Sequence, residues 1–226
     1  MTISAVVFDL DGLMFDTEAL FHRVSSELLA ERGRSFTPEI MNAMIGRRPL
    51  EAGEQLKRLS GIEESVEEWL SLVRERFGLL VNDAVSPTPG LLRLLDLLRG
   101  RSPLAVATSS NRSYARGLLD RHAITDRFEF ILAAEDVIRG KPDPEIYATA
   151  ARRLGVAAGA MLVLEDSPAG VESARRAGAV VVAVPHAHSP AHALGPADLI
   201  VPALDAPELL DLLERRLGAR SPFSAQ

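Results

Sequence analysis

Asp9 and Asp11 stand two residues apart in Asp9-Leu10-Asp11-Gly12, directly after the apolar run Ile3 to Phe8. On an extended strand, side chains two apart point the same way, so this spacing predicts two carboxylates aimed into one small volume. Such a pair repels itself unless a cation neutralises it. Three further reactive clusters follow: Thr108-Ser109-Ser110, Lys141 within Gly140-Lys141-Pro142-Asp143-Pro144, and Glu165-Asp166 within Leu164-Glu165-Asp166-Ser167-Pro168. An all-oxygen set of Asp9, Asp11, Glu165 and Asp166, in a chain without cysteine, suits a hard divalent ion such as Mg²⁺. Lys141 adds positive charge without metal geometry, and Thr108 offers a hydroxyl and a neighbouring backbone N–H to a phosphoryl oxygen. These are the parts that electrostatic catalysis of phosphoryl transfer requires. Hydrolysis of a phosphate monoester can demand acceleration approaching ~10²¹. General acid catalysis supplies only about 10²–10⁴ of that, which favours a covalent route that divides the reaction.

The clusters must be brought together by the elements that precede them. Short aliphatic runs recur at Ala5–Phe8, Leu104–Ala107, Phe130–Leu132, Met161–Leu164 and Val180–Val184, with helical segments between most of them. Near-continuous apolar strands alternating with helices indicate an α/β fold with a parallel, Rossmann-like sheet covered on both faces. In such sheets ligands bind beyond the carboxyl ends of the strands, which is where Asp9, Thr108 and Glu165-Asp166 fall. Asp143-Pro144 and Ser167-Pro168 each place a capping side chain before a proline, and Gly155 and Gly178 fall where those helices should stop.

The interval from Phe15 to Val85 contains no convincing strand. Leu20, Phe21, Val24 and Leu28 have helical spacing within Thr17–Arg32, and Gly33 follows as a stop. Thr37-Pro38 opens another helix ending near Gly46. Ser65 with Glu68 forms a capping box before the stripe Trp69, Val73, Phe77 and Leu80. A connection this long is better explained as an inserted helical domain than as a loop. The division expected is a catalytic core of residues 1–15 and 86–226 and a helical cap of residues 16–85. Gly218 to Gln226 reads as a frayed tail.

Composition removes several classes. The chain has 226 residues, is 47% hydrophobic and carries a formal charge of −6, so it can bury a core and lacks the basic face expected for nucleic acid. The N-terminus has no signal-peptide pattern, and no apolar stretch reaches the roughly 18 residues of a membrane span. A cytoplasmic protein acting on a small phosphorylated metabolite is expected, with no nucleic-acid or membrane partner. Monomer and dimer are both open.

The chain resembles phosphohydrolases of the haloacid dehalogenase superfamily that carry an α-helical cap. Asp9-Leu10-Asp11-Gly12-Leu13-Met14-Phe15-Asp16-Thr17-Glu18 is similar to the first motif, Ala105-Val106-Ala107-Thr108-Ser109-Ser110 to the second, Gly140-Lys141-Pro142 to the third and Leu164-Glu165-Asp166-Ser167 to the fourth. The resemblance implies that Asp9 is a nucleophile forming an aspartyl phosphate, while Asp11 protonates the leaving oxygen and then activates water. It implies that Thr108 and Lys141 stabilise the transferring group, with Lys141 steadying Asp9. Mg²⁺ would be held by Asp9, the main-chain carbonyl of Asp11 and Asp166, with Glu165 adjacent or acting through water. Ser109 and Ser110 would assist in binding the phosphate.

Taken singly, each cluster has an ordinary explanation: a turn, a helix cap, a surface lysine, acids at a helix start. Their joint order and strand-end placement favour catalysis. A calcium loop starting at Asp9 fails, because Leu13, Met14 and Leu20 fall where an oxygen ligand, glycine and glutamate belong. Arg47 and Arg48 are candidates for a substrate phosphate or hydroxyl, and a solvated pair fits equally well. His186, His188 and His192 suggest a second metal site less strongly than they suggest a loop. Two alternatives to a phosphatase stand beside it. A phosphosugar mutase of the β-phosphoglucomutase type would carry a histidine twelve residues after the nucleophile, where this chain has Phe21, with His22 next. A phospho-accepting receiver domain would lack the helical insertion.

Overall fold

The computed structural model describes residues 2–44, 47–186, 189 and 191–217. Six strands, β1 (Ala5–Phe8), β2 (Leu104–Ala107), β3 (Phe130–Leu132), β4 (Met161–Glu165), β5 (Val180–Ala183) and β6 (Leu199–Ile200), form one parallel sheet in the order β3-β2-β1-β4-β5-β6. Val6 pairs with Leu104 on one side and Leu162 on the other, so β1 lies at the middle, where the strand order reverses. Among its residues alternation sorts Val6 and Phe8 into one apolar layer and Val7 into the other, as expected for a strand buried on both faces.

Nine helices are described: α1 (Glu18–Ala30), α2 (Pro38–Met44), α3 (Pro49–Ser60), α4 (Val66–Ala84), α5 (Leu91–Leu98), α6 (Arg112–Arg121), α7 (Glu145–Leu154), α8 (Pro168–Arg176) and α9 (Pro207–Arg216). The second apolar layer lies against α7 and α8 through Ile146, Tyr147, Ala150, Val171 and Ala174. The first is continuous with the helices α1 to α4 through Leu20, Val24, Ile40, Leu56 and Trp69. The capping box at α4 forms as its residue types dictate: the Glu68 N–H donates to the Ser65 hydroxyl at 3.2 Å and the Ser65 N–H to the Glu68 carboxylate at 2.8 Å. None of the described helices is long and apolar enough to cross a membrane.

The chain leaves the sheet layer at Phe15 and returns beside it. Phe15 bridges Pro87, and the Thr88 N–H and hydroxyl donate to the carbonyls of Met14 and Leu13 at 2.9 and 2.6 Å. Several local expectations shift by a residue or two. Helix α1 stops at Ala30, and the N-cap position of α7 falls on Pro144, one residue later than expected, although the Asp143 carboxylate still accepts from the Glu145 N–H at 3.0 Å. The Ser167 cap of α8 and the left-handed Gly155 after α7 are as expected. Gly46 and the tail from Gly218 lie outside the described residues.

Candidate active site

Three adjacent strands deliver their next residues to one edge. The Asp9 N–H donates to the Leu164 carbonyl at 3.0 Å and the Thr108 N–H to the Leu132 carbonyl at 2.9 Å, so the ladder continues one step past β1 and β2. Asp9 and Thr108 therefore stand beside Glu165, the last residue of β4, and Asp166 after it. Lys141, from the segment before α7, passes beneath them and is 2% exposed. Its ammonium pairs with Asp9 Oδ1, lies 2.6 Å from Glu165 Oε1 and donates to the Ala107 carbonyl at 3.2 Å.

Glu165 is fully buried and its two oxygens are both engaged. Oε1 accepts from Lys141 and, at 2.6 Å, from the Tyr147 hydroxyl; Oε2 accepts from the N–H groups of Asp166 and Ser167 and the Ser167 hydroxyl at 3.0–3.1 Å. Burial alone would lower Lys141, yet the Asp9 and Glu165 carboxylates hold it well above its usual range and therefore charged. Glu165, opposed by burial, is held below its usual value by Lys141 and these donors. Burial pushes Asp9 up against the pull of Lys141, and the like charges of Glu165 and Asp166 push the same way. Oxygens of Asp9, Glu165 and Asp166 lie within 4.8 Å of one another. One ammonium does not neutralise three carboxylates, so the donor set fits a hard divalent cation.

Asp11 departs from the expected arrangement. β1 has ended, Gly12 turns the chain at φ +85°, and the Asp11 side chain is not part of that acidic group. It faces hydroxyls instead: Thr17 at 3.0 Å and Tyr114 at 2.9 Å donate to Oδ1, and Ser110 donates to Oδ2 at 2.6 Å. The two carboxylates thus sit in one cavity but in different environments. The Thr108 hydroxyl accepts from the Ser110 N–H at 3.0 Å. Asp9, Asp11, Thr108, Ser109, Ser110 and Asp166 line a cavity of about 480 Å³ whose opposite wall comes from α1 to α4, Arg47 included.

Arg48 does not line it. Its guanidinium donates to the carbonyls of Ala134 at 2.7 Å, Ile138 at 2.8 Å and Val137, tying the start of α3 to the segment after β3. A Cβ on Gly140 would lie 2.8 Å from the Arg48 stem, so glycine leaves it room. His186 Nε2 lies 2.9 Å from Asp166 Oδ2, His192 is exposed on the short 3-10 helix Ala191–Leu194, and His188 lies outside the described residues. Phe21 lines the cavity, whereas His22 packs edge-on against Phe36.

Sequence spacing gives no sign of Tyr114, Tyr147 and Gly170, because each sits on a helix that only the fold brings to the site, and it offers His186 only as a candidate for a second metal site, not as a partner of Asp166. Of the partners of Asp11, Thr17 lies within the first motif and Ser110 within the second, whereas Tyr114 lies in neither.

Residues 6–184 match the family described as haloacid dehalogenase-like hydrolase. The chain is 31% identical over 177 residues to a phosphorylated carbohydrates phosphatase of Thermotoga maritima, spanning 78% of this chain and 82% of the relative. It is 33% identical over 197 residues to a validoxylamine A 7'-phosphate phosphatase of Streptomyces hygroscopicus subsp. limoneus, spanning 86% and 91%. The crystal structure of a putative beta-phosphoglucomutase from Thermotoga maritima superimposes with a TM-score of 0.74 at 29% identity, covering 94% of this chain and 99% of that one.

Proposed function

Because the chain belongs to the haloacid dehalogenase-like hydrolases and is a phosphoric monoester hydrolase, we propose that it hydrolyses a small phosphorylated metabolite, of sugar or nucleotide-like type, through an aspartyl phosphate on Asp9. The observation that carries the reading is that Asp9, backed by Lys141, and Asp11, held by hydroxyls, line one cavity from different environments. Two carboxylates placed so differently are suited to different tasks.

The Asp9 carboxylate attacks phosphorus, and Asp11 gives its proton to the departing alcohol oxygen. Asp11 then takes a proton from water as that water attacks the aspartyl phosphate, and inorganic phosphate leaves. Thr108, Ser109 and Ser110 offer hydroxyls and N–H groups to the phosphoryl oxygens, and Lys141 holds Asp9 in place. Asp9, Asp166 and the Asp11 carbonyl would hold Mg²⁺, with Glu165 behind them, and the bound ion would supply positive charge to the phosphoryl oxygens. The helices of residues 16–85 act as a cap that excludes bulk water, and Arg47 on its inner wall faces the substrate.

Transfer to a second hydroxyl, the mutase alternative, is disfavoured by Phe21 lining the cavity twelve residues after Asp9, with His22 turned to Phe36. Incubation with glucose 1-phosphate and glucose 1,6-bisphosphate distinguishes them: any turnover, fast or slow, is expected to end as free phosphate, and accumulation of glucose 6-phosphate would establish the mutase. Asp9→Asn, folded, should release no phosphate from p-nitrophenyl phosphate.

A further inference from the structure

The cavity over Asp9 has two unlike walls. At the sheet edge it is built of carboxylates and hydroxyls that meet the phosphate. The helical wall presents Met41, Met44, Trp69, Val73 and Phe77, and the charged side chains it contributes are Arg47 and Arg74. A leaving group whose phosphate lies at Asp9 must lodge against that second wall. We propose that this leaving group is aromatic: the substrate is a phosphate monoester whose alcohol carries a planar ring, seated among Met41, Met44, Trp69 and Phe77, with any anionic edge turned to Arg47 or Arg74. The inference rests on the phosphatase reading above and narrows its substrate.

A polyol would fare badly here. Each hydroxyl pressed against methionine or phenylalanine gives up water without gaining a partner, and an unmet polar group is penalised more than a made hydrogen bond is rewarded. An aromatic ring gains by burial, by edge-to-face contact and by sulfur–ring contact with the methionines. The wall is already arranged in this way: Phe77 meets Tyr114 edge-on with centroids 6.0 Å apart, and the Arg32 guanidinium lies over Trp69 at 5.6 Å.

The test compares benzyl phosphate with myo-inositol 1-phosphate, two six-membered rings on poor alcohol leaving groups, with Mg²⁺ present. The expected kcat/KM ratio favours benzyl phosphate by at least about tenfold, and Phe77→Ala should reduce that ratio about tenfold. Trp69 is the only tryptophan of the chain, so its emission reports the cavity directly. In Asp9→Asn, benzyl phosphate should change that emission saturably, and inositol phosphate should not at equal concentration; this readout stands even if Phe77→Ala does not fold. Equal or better use of the inositol ester, or emission unmoved by benzyl phosphate, overturns the aromatic assignment. If Asp9→Asn still releases phosphate, the nucleophile reading fails instead.

Discussion

A Cβ placed on Gly170 would fall inside the carboxylate of Glu165. Helix α8 therefore starts with its backbone against a fully buried acid that is itself held by Lys141, Tyr147, Ser167 and the Asp166 N–H. Gly→Ala inside a helix ordinarily stabilises by about 0.5–1 kcal/mol. Here the sign should reverse, since overpacking costs about 1–3 kcal/mol and displaces the group that pins Lys141. Urea denaturation of Gly170→Ala should show a lower midpoint together with reduced kcat/KM. A wild-type or raised midpoint would mean that the contact yields without consequence.

Lys141 is the single buried ammonium among Asp9, Glu165 and Asp166. Lys141→Met leaves those acids uncompensated and should cost about 3–5 kcal/mol, part of it recovered in Lys141→Met/Glu165→Gln. The sign with pH follows from burial. Without the ammonium, Asp9 and Glu165 bind protons on folding, and a folded state that binds more protons gains stability as pH falls. The gap between wild type and variant should therefore narrow from neutral pH toward the ordinary carboxylate range. A constant gap in chemical denaturation across that range would contradict the assignment.

Much of this is legible along the chain because the sheet is parallel and buried on both faces, so β1 to β5 read as apolar runs, with reactive residues at the ends of β1, β2 and β4. β6 was missed because Leu199–Ile200 is two residues long and carries no periodicity. The pairing of Asp9 with Asp11 was misread because the strand period was extended past Phe8, whereas Gly12 begins a turn that sends Asp11 to Thr17, Ser110 and Tyr114. Arg47 and Arg48 are adjacent in sequence yet diverge, one to the cavity and one to the carbonyls after β3. Only the packing of α3 distinguishes them.

The roles proposed for Asp9 and Asp11 differ in pre-steady-state kinetics. p-Nitrophenolate needs no proton to leave, so Asp11→Asn should still be phosphorylated and should release a burst of nitrophenolate equal to the enzyme concentration. Turnover afterwards should fall by about 10²–10⁴, the contribution of a general base. Asp9→Asn should give neither burst nor turnover. A burst from Asp9→Asn, or its absence in Asp11→Asn with turnover intact, would reverse or remove these assignments.

Arg48 ties the start of α3 to the segment that leads into Lys141. Arg48→Ala should leave the sheet intact while speeding amide hydrogen exchange at residues 134–140 and in the first turn of α3. Gly140→Ala, which crowds the Arg48 stem, should have the same effect. A looser wall should raise KM more than it lowers kcat. Unaltered exchange in both variants would show that the carbonyl contacts carry no coupling.

The acidic group predicts behaviour that does not depend on turnover. Mg²⁺ should raise the melting temperature of EDTA-treated protein saturably, because an ion bound only by the folded state adds about 2.7 kcal/mol at a hundred times its Kd. Asp166→Asn should abolish most of that shift. His186→Ala, which removes a partner of Asp166 2.9 Å away, should weaken Mg²⁺ by no more than the about 10–100-fold usual for an outer contact. The order of the two variants is the discriminating result: Asp166 offers the ligand oxygen and His186 only orients it. Should His186→Ala lose Mg²⁺ binding as fully as Asp166→Asn, the imidazole belongs to the ligand set itself, and the all-oxygen site has to be redrawn.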